Sequence, residues 1–537
     1  MRATLYSVIP FFIAVALRLY PTLLSGLPYS TDGWPIIRNT ELLIENTPIS
    51  LDDAVFDGYN NYWPASSIFG AVLTQITGLK PLEAMAVGIP LAGAITILIL
   101  YALVRALSGN HVIAFIAALL LATGYPHVMF TAGVTKETFA NPIYMLSIFI
   151  FLARGGWRKT LLFTIASIAL ASSHHLTAII TIAALAAITL AKSLTRFRQG
   201  IGLEKTGVLN VSILATATAL YFIFFAYKGF KIAITASDLI SAASYQAAAF
   251  TLALHSAFKP HAHPLVKASL TCAAVATASM IAFISTKTPI FPDAPIFPNH
   301  YMIYAMPFIL SAPLATLGFW EPRSIMSEWR MVPVFWAATI LGAACYAVFG
   351  NSPIGLSLAF RTLNFLWPPL AFLCAVGFHG TGLAVGCKHK RRLKKTFTAT
   401  ALLLIAAMGS YSLYASVSLQ ERYMTYFWLF RPQEYEASAW ISTVGGGQVV
   451  SADVKTSYLL QGYFNVSVDV LQGLRYLTGK TRSEPKTLYI YDQMLEKGYV
   501  LYGGYSVDLP LGWMEKTYDL NTIYSNGFVK VVGSRGA

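Results

Sequence analysis

Acidic, imidazole and cationic side chains recur beside the apolar runs of this chain of 537 residues. Asp32 stands in YSTDGWPIIRNTEL, a few residues past the first run, and Lys136 and Glu137 stand in GVTKETFANPIYML. His174 and His175 share SSHHLTAI, Arg361 opens the apolar part of SPIGLSLAFRTLNFLWPPLAFL, and TKTPIFPDAPIFPNHYMIY carries Lys287, Asp293, His300 and Tyr301. A carboxylate close to a bilayer is costly unless it is solvated, paired or metal-bound, so Asp32 is either an ordinary loop acid or a reactive one. Glu137 is a helix-start acid favoured by the macrodipole or a member of a site. A histidine pair at a helix start serves packing or capping; beside carboxylates it can also bind a divalent cation or relay a proton. Arg361 either snorkels to the headgroups or grips a lipid phosphate through its planar fork. The segment 286–304 reads as a lid-like connection or a passive linker.

These residues need elements to hold them, and composition says which. Hydrophobic residues make up 56% of the chain and charged ones 12%, with a mean hydropathy of +0.58, which describes a polytopic membrane protein. Runs able to cross ~30 Å of hydrocarbon fall at 5–27, 84–104, 112–132, 138–153, 160–173, 175–191, 208–226, 246–258, 265–285, 301–319, 331–349, 360–386 and 396–416. That makes about thirteen; several are shorter than ~20 residues, so a pair of them could be re-entrant. The opening MRATLYSVIPFFIAVALRLYPTLL lacks a small-residue cleavage site and reads as a retained first helix. Cys272, Cys345, Cys374 and Cys387 show no CxxC spacing, which points away from a disulfide framework or a zinc site.

Net charge is +14, and its distribution decides its meaning. Threading the runs from a cytoplasmic N-terminus collects Arg154, Arg158, Lys159, the segment KSLTRFRQGIGLEK, Arg323, Arg330 and KHKRRLKK on one side. Asp32, Asp52, Asp53, Asp57, Glu137, Asp238 and Asp293 fall on the other. The basic excess therefore sets orientation by the positive-inside rule, and nucleic acid drops out as a partner. The span centres read as nearly free of charge, and no fixed-period repeat occurs; a transporter would favour midplane charges and inverted repeats.

Two polar intervals remain. The first, 28–83, contains NYWPASSIFGAVLTQITGL, read as an interfacial helix with Tyr62 and Trp63 at headgroup level. Pro28 ends the first helix, Gly33 leaves room for a substrate, and Trp34 anchors at the interface. The second, 420–537, reads as a small extracytoplasmic α/β domain, opened by RPQEYEASAWI with Tyr435, Ala439 and Trp440 on one helical face. No glycine-rich phosphate loop occurs; the GGG at 445–447 has no GK[ST] after it. NVS at Asn465 suits glycosylation and NVS at Asn210 lies too near the cytoplasmic edge.

Taken together, the acid opening the first outer loop, the interfacial helix in it, the second acid at the next short outer turn, about thirteen spans and an outer C-terminal domain resemble the GT-C glycosyltransferases. That superfamily includes protein O-mannosyltransferases, the lipid A aminoarabinose transferase and oligosaccharyltransferases, and the style of YSTDGWP and VTKETF is similar to archaeal or bacterial members. The resemblance implies a sugar on a polyprenyl phosphate (dolichyl or undecaprenyl) as donor, transferred at the outer face of the cell membrane to a lipid, glycan or protein acceptor, with inversion. It implies Asp32 as catalytic base or metal contact, Glu137 as the second-loop acid, and Arg361, Lys136 and Lys287 at the donor phosphate. His174, His175, His300 and Tyr301 would contact sugar or acceptor, and Asp32, Glu137 and His174 would be the set for a divalent cation (Mg, Mn or Zn). Asp32 is flanked by Thr31 and Gly33 rather than paired with a second acid, and the tail lacks WWDxG, since Ile441 and Ser442 follow Trp440. The alternatives are a transporter or flippase of lipid-linked glycans, an oligosaccharyltransferase-like protein N-glycosylation enzyme, and a non-catalytic assembly or adhesion protein.

Overall fold

The computed structural model describes residues 2–46, 59–229, 235–258, 263–289, 296–320, 331–350, 355–383, 388–418, 426–444, 447–501 and 506–534. Asp52, Asp53, Asp57, Asp293, Arg323, Arg330 and Cys387 lie outside them. Every run read from hydropathy is helical: α1 (Arg2–Ser25), α4 (Pro81–Ser108), α5 (His111–Thr123) with α6 (Tyr125–Ala132), α7 (Lys136–Leu152), α8 (Trp157–Ser173), α9 (His175–Arg198) and α10 (Lys205–Phe224). The series continues with α11 (Ala236–Phe258), α12 (Pro264–Ile284), α13 (Met302–Trp320), α14 (Val332–Phe349), α15 (Gly355–Leu383) and α16 (Lys388–Val417). The first polar interval adds α2 (Gly33–Glu45) and α3 (Ala65–Thr77). Among the described residues nine helices are long and apolar enough to cross a membrane, or ten with α5 and α6 counted as one bent span. The helices α7 and α8 have only 17 residues each. This is a multi-pass membrane protein.

Two compact units divide the chain. The first comprises Met1–Arg18, Leu91–Thr131 and Lys136–Leu413. Its core joins residues of α4, α5, α7, α9, α14 and α15, with Trp336 donating to the Tyr144 hydroxyl at 2.6 Å. Close approach of α13 and α15 needs glycine on both sides, because a Cβ on Gly318 would strike the Leu373 carbonyl and one on Gly377 the Leu314 carbonyl. The 61° bend between α5 and α6 falls at Gly124, just before Pro126. Pro126 supplies no N–H to the ladder there, and the Leu120 carbonyl, which still accepts the Gly124 N–H, accepts the Trp367 indole as well at 2.8 Å.

The second unit comprises Leu19–Pro90, Ala132–Thr135 and Tyr414–Ala537, so the first polar interval groups with the tail. The tail contains α17 (Pro432–Val444), β1 (Val450–Ser451), α18 (Val454–Leu460), β2 (Val468–Asp469), α19 (Val470–Leu477), β3 (Thr487–Tyr491), α20 (Asp492–Lys497), β4 (Tyr499–Val500), β5 (Ser506–Val507), β6 (Asn521–Ser525) and β7 (Val529–Gly533). Its sheet runs β2-β1-β3-β7-β6, parallel on one half and antiparallel on the other. The α/β reading of the tail holds.

Details of this unit depart from the sequence reading. Trp34 is not an interfacial anchor: it is 0% exposed, its ring set against Phe430, Tyr435 and Tyr463. An indole gains more from three aromatic neighbours than from a headgroup layer. Trp63, expected at headgroup level, is buried against Tyr59. Gly33 admits protein rather than substrate, since a Cβ there would lie 3.1 Å from Val134 Cβ. In α17 the buried face is Glu434, Ala437, Ser438 and Ile441, one position from the expected Tyr435, Ala439 and Trp440. The first helix ends at Ser25, with Gly26 at φ +71, before Pro28 is reached.

Candidate functional site

In the first unit, α7 opens three residues after α6 ends and puts Lys136 and Glu137 in its first turn. The boundary between α8 and α9 is a single extended residue, His174. Arg361 and Asn364, three apart on α15, present one helical face. These three places meet around Glu137 and Arg361. Arg361 NH1 donates to Glu137 Oε2 at 2.8 Å and Asn364 Nδ2 donates to Glu137 Oε1 at 2.6 Å. His174 Nε2 lies 3.5 Å from the same Arg361 nitrogen, and His174 Nδ1 shares a 2.7 Å hydrogen bond with the Thr177 hydroxyl. The ring of His175 stands 5.0 Å from that of His174, and the charges of Lys136 and Arg361 reach both rings.

Glu137 is 2% exposed and Lys136 7%, whereas the Arg361 side chain is 30% exposed. The cluster is thus a buried carboxylate with one side of its guanidinium partner open. Two cations, Lys136 and Arg361, are brought to the Glu137 end of this membrane segment, residue types that suit an anionic ligand.

Asp32 belongs to the second unit. It precedes α2 as N-cap residue without capping through its side chain; its backbone N–H donates to the Ser30 hydroxyl at 3.3 Å. Among the described residues no side chain donates to its carboxylate, which is half-buried. The turn is fixed from both sides: Ser30 N–H donates to the Trp428 carbonyl and Val134 N–H to the Tyr29 carbonyl. Ser30 takes φ +100, strain that these bonds hold in place. The segment Ala132–Thr135 that braces Asp32 runs directly into Lys136 in the chain.

Lys287, His300 and Tyr301 form a separate group. Lys287 Nζ donates to Asn299 Oδ1 at 3.3 Å and lies over the Phe283 ring, while His300 lies 4.8 Å from the Tyr301 ring. Sequence reasoning missed Asn364, His127 and Arg18. Asn364 Oδ1 pairs with His127 Nδ1 at 2.7 Å, and Arg18 Nε donates to Thr131 Oγ1 at 2.8 Å. Arg18 is 0% exposed inside α1, an exception to the reading of charge-free span centres. A polar residue inside an apolar run was the signal available.

The cation set does not assemble as expected. Among the described residues no group of three or more His, Cys, Asp or Glu gathers for a metal. Both Glu137 oxygens accept from protein donors and His174 is turned to Thr177 and Arg361. A guanidinium on the carboxylate repels a second cation, so Glu137 and His174 as arranged do not fit one.

No family model matches the chain, and no curated protein does. Solved structures do. The oligosaccharyltransferase of Archaeoglobus fulgidus in its apo form is 15% identical, over 92% of this chain and 70% of that one, at TM-score 0.57. The same organism's oligosaccharyltransferase AglB, in complex with an inhibitory peptide and a dolichol-phosphate, gives 0.56 at 15% identity with the same coverage. The A. fulgidus enzyme complexed with Zn and sulfate gives 0.55 at 16%, over 91% of this chain and 68% of that one. At such identities the likeness is one of architecture: this chain shares the fold of these archaeal oligosaccharyltransferase structures.

Proposed function

We propose that the chain is an integral-membrane glycosyltransferase that moves a sugar from a polyprenyl-phosphate donor to a lipid, glycan or protein acceptor, with inversion at the anomeric carbon. The observation that carries this reading is the Glu137–Arg361 pair, with its carboxylate buried and its guanidinium partly exposed. It suits the phosphate of a lipid-linked donor, and a protein of the same fold has been solved with dolichol-phosphate bound.

In this reading Asp32, whose carboxylate is not held by a described side-chain donor, takes the proton of the acceptor hydroxyl. The hydroxyl oxygen attacks the anomeric carbon as the bond to the phosphate oxygen breaks, its electron pair leaving with the phosphate. Phosphate is already a good leaving group, so a strong acid is not needed. Arg361 and Lys136 stabilise the charge that develops on it. Glu137 holds the Arg361 fork in register, and His174 and His175 line the sugar side. Lys287, His300 and Tyr301 serve the acceptor or donor from the loop before α13. The N-terminus is cytoplasmic and the tail extracytoplasmic. A protein of this fold was solved with Zn and sulfate.

The test is transfer by purified protein from a polyprenyl-phosphate sugar, without any ion gradient, comparing wild type with Asp32→Asn and Glu137→Gln. Both variants should fold and lose transfer; full activity in both would overturn the site assignment. A wild type that moves lipid-linked glycan across vesicles but never consumes donor would favour the flippase reading. Protein N-glycosylation is the lesser alternative, because the tail has no WWDxG and Trp440 stacks on Tyr524 at 4.9 Å.

A further inference from the structure

The hydrogen-bonded chain behind Glu137 determines its own proton positions. Paired with a guanidinium, the Glu137 carboxylate only accepts. Asn364 must therefore turn its amide nitrogen to Glu137, at 2.6 Å, and its oxygen to His127 Nδ1, at 2.7 Å. That oxygen accepts only, so Nδ1 carries the proton and, in the neutral ring, Nε2 is a bare lone pair. Nε2 of His127 is buried, and no described residue offers it a partner.

A matching donor lies in the same group. Arg18 is fully buried; its Nε donates to Thr131 Oγ1 and its NH1 lies 3.3 Å from the Ala14 and Ala122 carbonyls. NH2 of Arg18 is likewise buried and has no partner among the described residues. The two residues are linked: Thr131, which receives Arg18, hydrogen-bonds back to the His127 carbonyl one turn earlier, and the Arg18 charge acts on the His127 ring. A buried donor and a buried acceptor, each left unmet, cost ~1–3 kcal/mol apiece. An anion would satisfy Arg18 but meet the His127 lone pair. A molecule that both accepts and donates satisfies the two together, and internal water is the smallest.

We propose that Arg18 NH2 and His127 Nε2 hold one water molecule between them, closing a relay from α1 through His127 and Asn364 to Glu137, and that His127 is a positioning residue for Glu137. The second half rests on the reading that Glu137 serves sugar transfer; the first does not. Arg18 anchors the water, the water and Asn364 hold the imidazole, and Asn364 fixes the carboxylate that orients Arg361.

Full-length protein with 15N-histidine, in nanodiscs, tests the relay by solid-state NMR, the His127 signals being identified by their loss in His127→Gln. The expected result is an Nδ1–H tautomer with magnetisation transfer from water to Nε2. An Nε2–H tautomer, or an Nε2 without water contact, would overturn the water site. Transfer kinetics test the positioning role. His127→Phe should lower kcat about 10- to 100-fold, the range for outer-shell partners, with KM for the donor unchanged, and His127→Gln, which can both donate and accept, should recover most of it. A glutamine variant as slow as the phenylalanine one, or a loss confined to KM, would overturn it. If wild-type protein transfers nothing, the functional reading fails while the NMR result still decides the water.

Discussion

Among the described residues each unit contains a buried carboxylate tied to a cation, and the two differ in what surrounds them. In the first, Arg361 meets Glu137 at 2.8 Å with side-chain exposures of 30% and 2%. In the second, Lys455 meets Glu434 at 2.7 Å with exposures of 0% and 1%. The Lys455 ammonium is enclosed by the Phe430 and Tyr491 rings, at 5.0 and 4.8 Å, and reaches Gln493 Oε1 at 3.4 Å. The other oxygen of Glu434 accepts the Arg431 N–H, closing the first turn of α17. Nothing from solvent can reach that pair, so it reads as a fastening between α17 and α18. The Glu137 pair is dry on the acid side and open on the cation side. Burial alone does not separate the two pairs; the accessibility of one partner does, and on it rests the role proposed for the Glu137 pair.

Matched double variants break or sharpen this contrast. Replacing Glu137 and Arg361 together by leucine should reduce sugar transfer by about 10²- to 10⁴-fold, the scale of a lost catalytic group, with the unfolding midpoint little changed. Glu434→Leu with Lys455→Met should leave transfer within a few-fold and stability nearly neutral, because two desolvation costs vanish with the pair. Lys455→Met alone strands a buried carboxylate and should cost about 3–5 kcal/mol in denaturant unfolding of the full chain. Transfer lost in the Glu434 double at unchanged stability would erase the distinction.

Next in size is a pH effect confined to the tail. Burial raises the pKa of Asp453 above its ordinary 3.8, opposed by the Tyr491 hydroxyl, the Thr456 N–H and Lys455. A raised folded-state value favours the protonated acid in the fold. Its contribution is therefore full below pH 3.8 and is lost as pH rises through the folded value. Asp453→Asn should flatten that decline, seen as a smaller loss of thermal midpoint between pH 4 and 7; an unchanged pH slope would show that Asp453 does not cause it. Smaller still, Gly33→Ala should cost about 1–3 kcal/mol through its Val134 contact, measured by thermal unfolding, with part of that as lost transfer because the turn braces Asp32. Chelation by EDTA should leave transfer unchanged, since Glu137 and His174 already hold protein partners.

Much of the architecture was legible because hydropathy is a local property. Each apolar run became a helix, and the change of pattern after Leu419 preceded an α/β tail. Glu137, His174 and Arg361 were legible as residue types at span ends, and they do meet. Asn364 was hidden among the apolar residues of RTLNFLWPP, and His127 sat in a run read as plain membrane helix. The aromatic setting of Trp34 was equally hidden, because Phe430 and Tyr463 lie some four hundred positions away in the chain.

By itself, then, the sequence determined where the chain is apolar and which segments between the runs carry acids and bases, since each depends on residues close together along the chain. Tertiary structure decided which charges pair, which glycine is filled by a neighbour, and which buried polar atoms are left without a partner among the described residues. Those outcomes depend on side chains from segments such as α7 and α15, whose partners stand 224 and 227 positions apart. Inside a low-dielectric interior a shift of one ångström decides whether such a pair forms, and no periodicity in the chain encodes that distance.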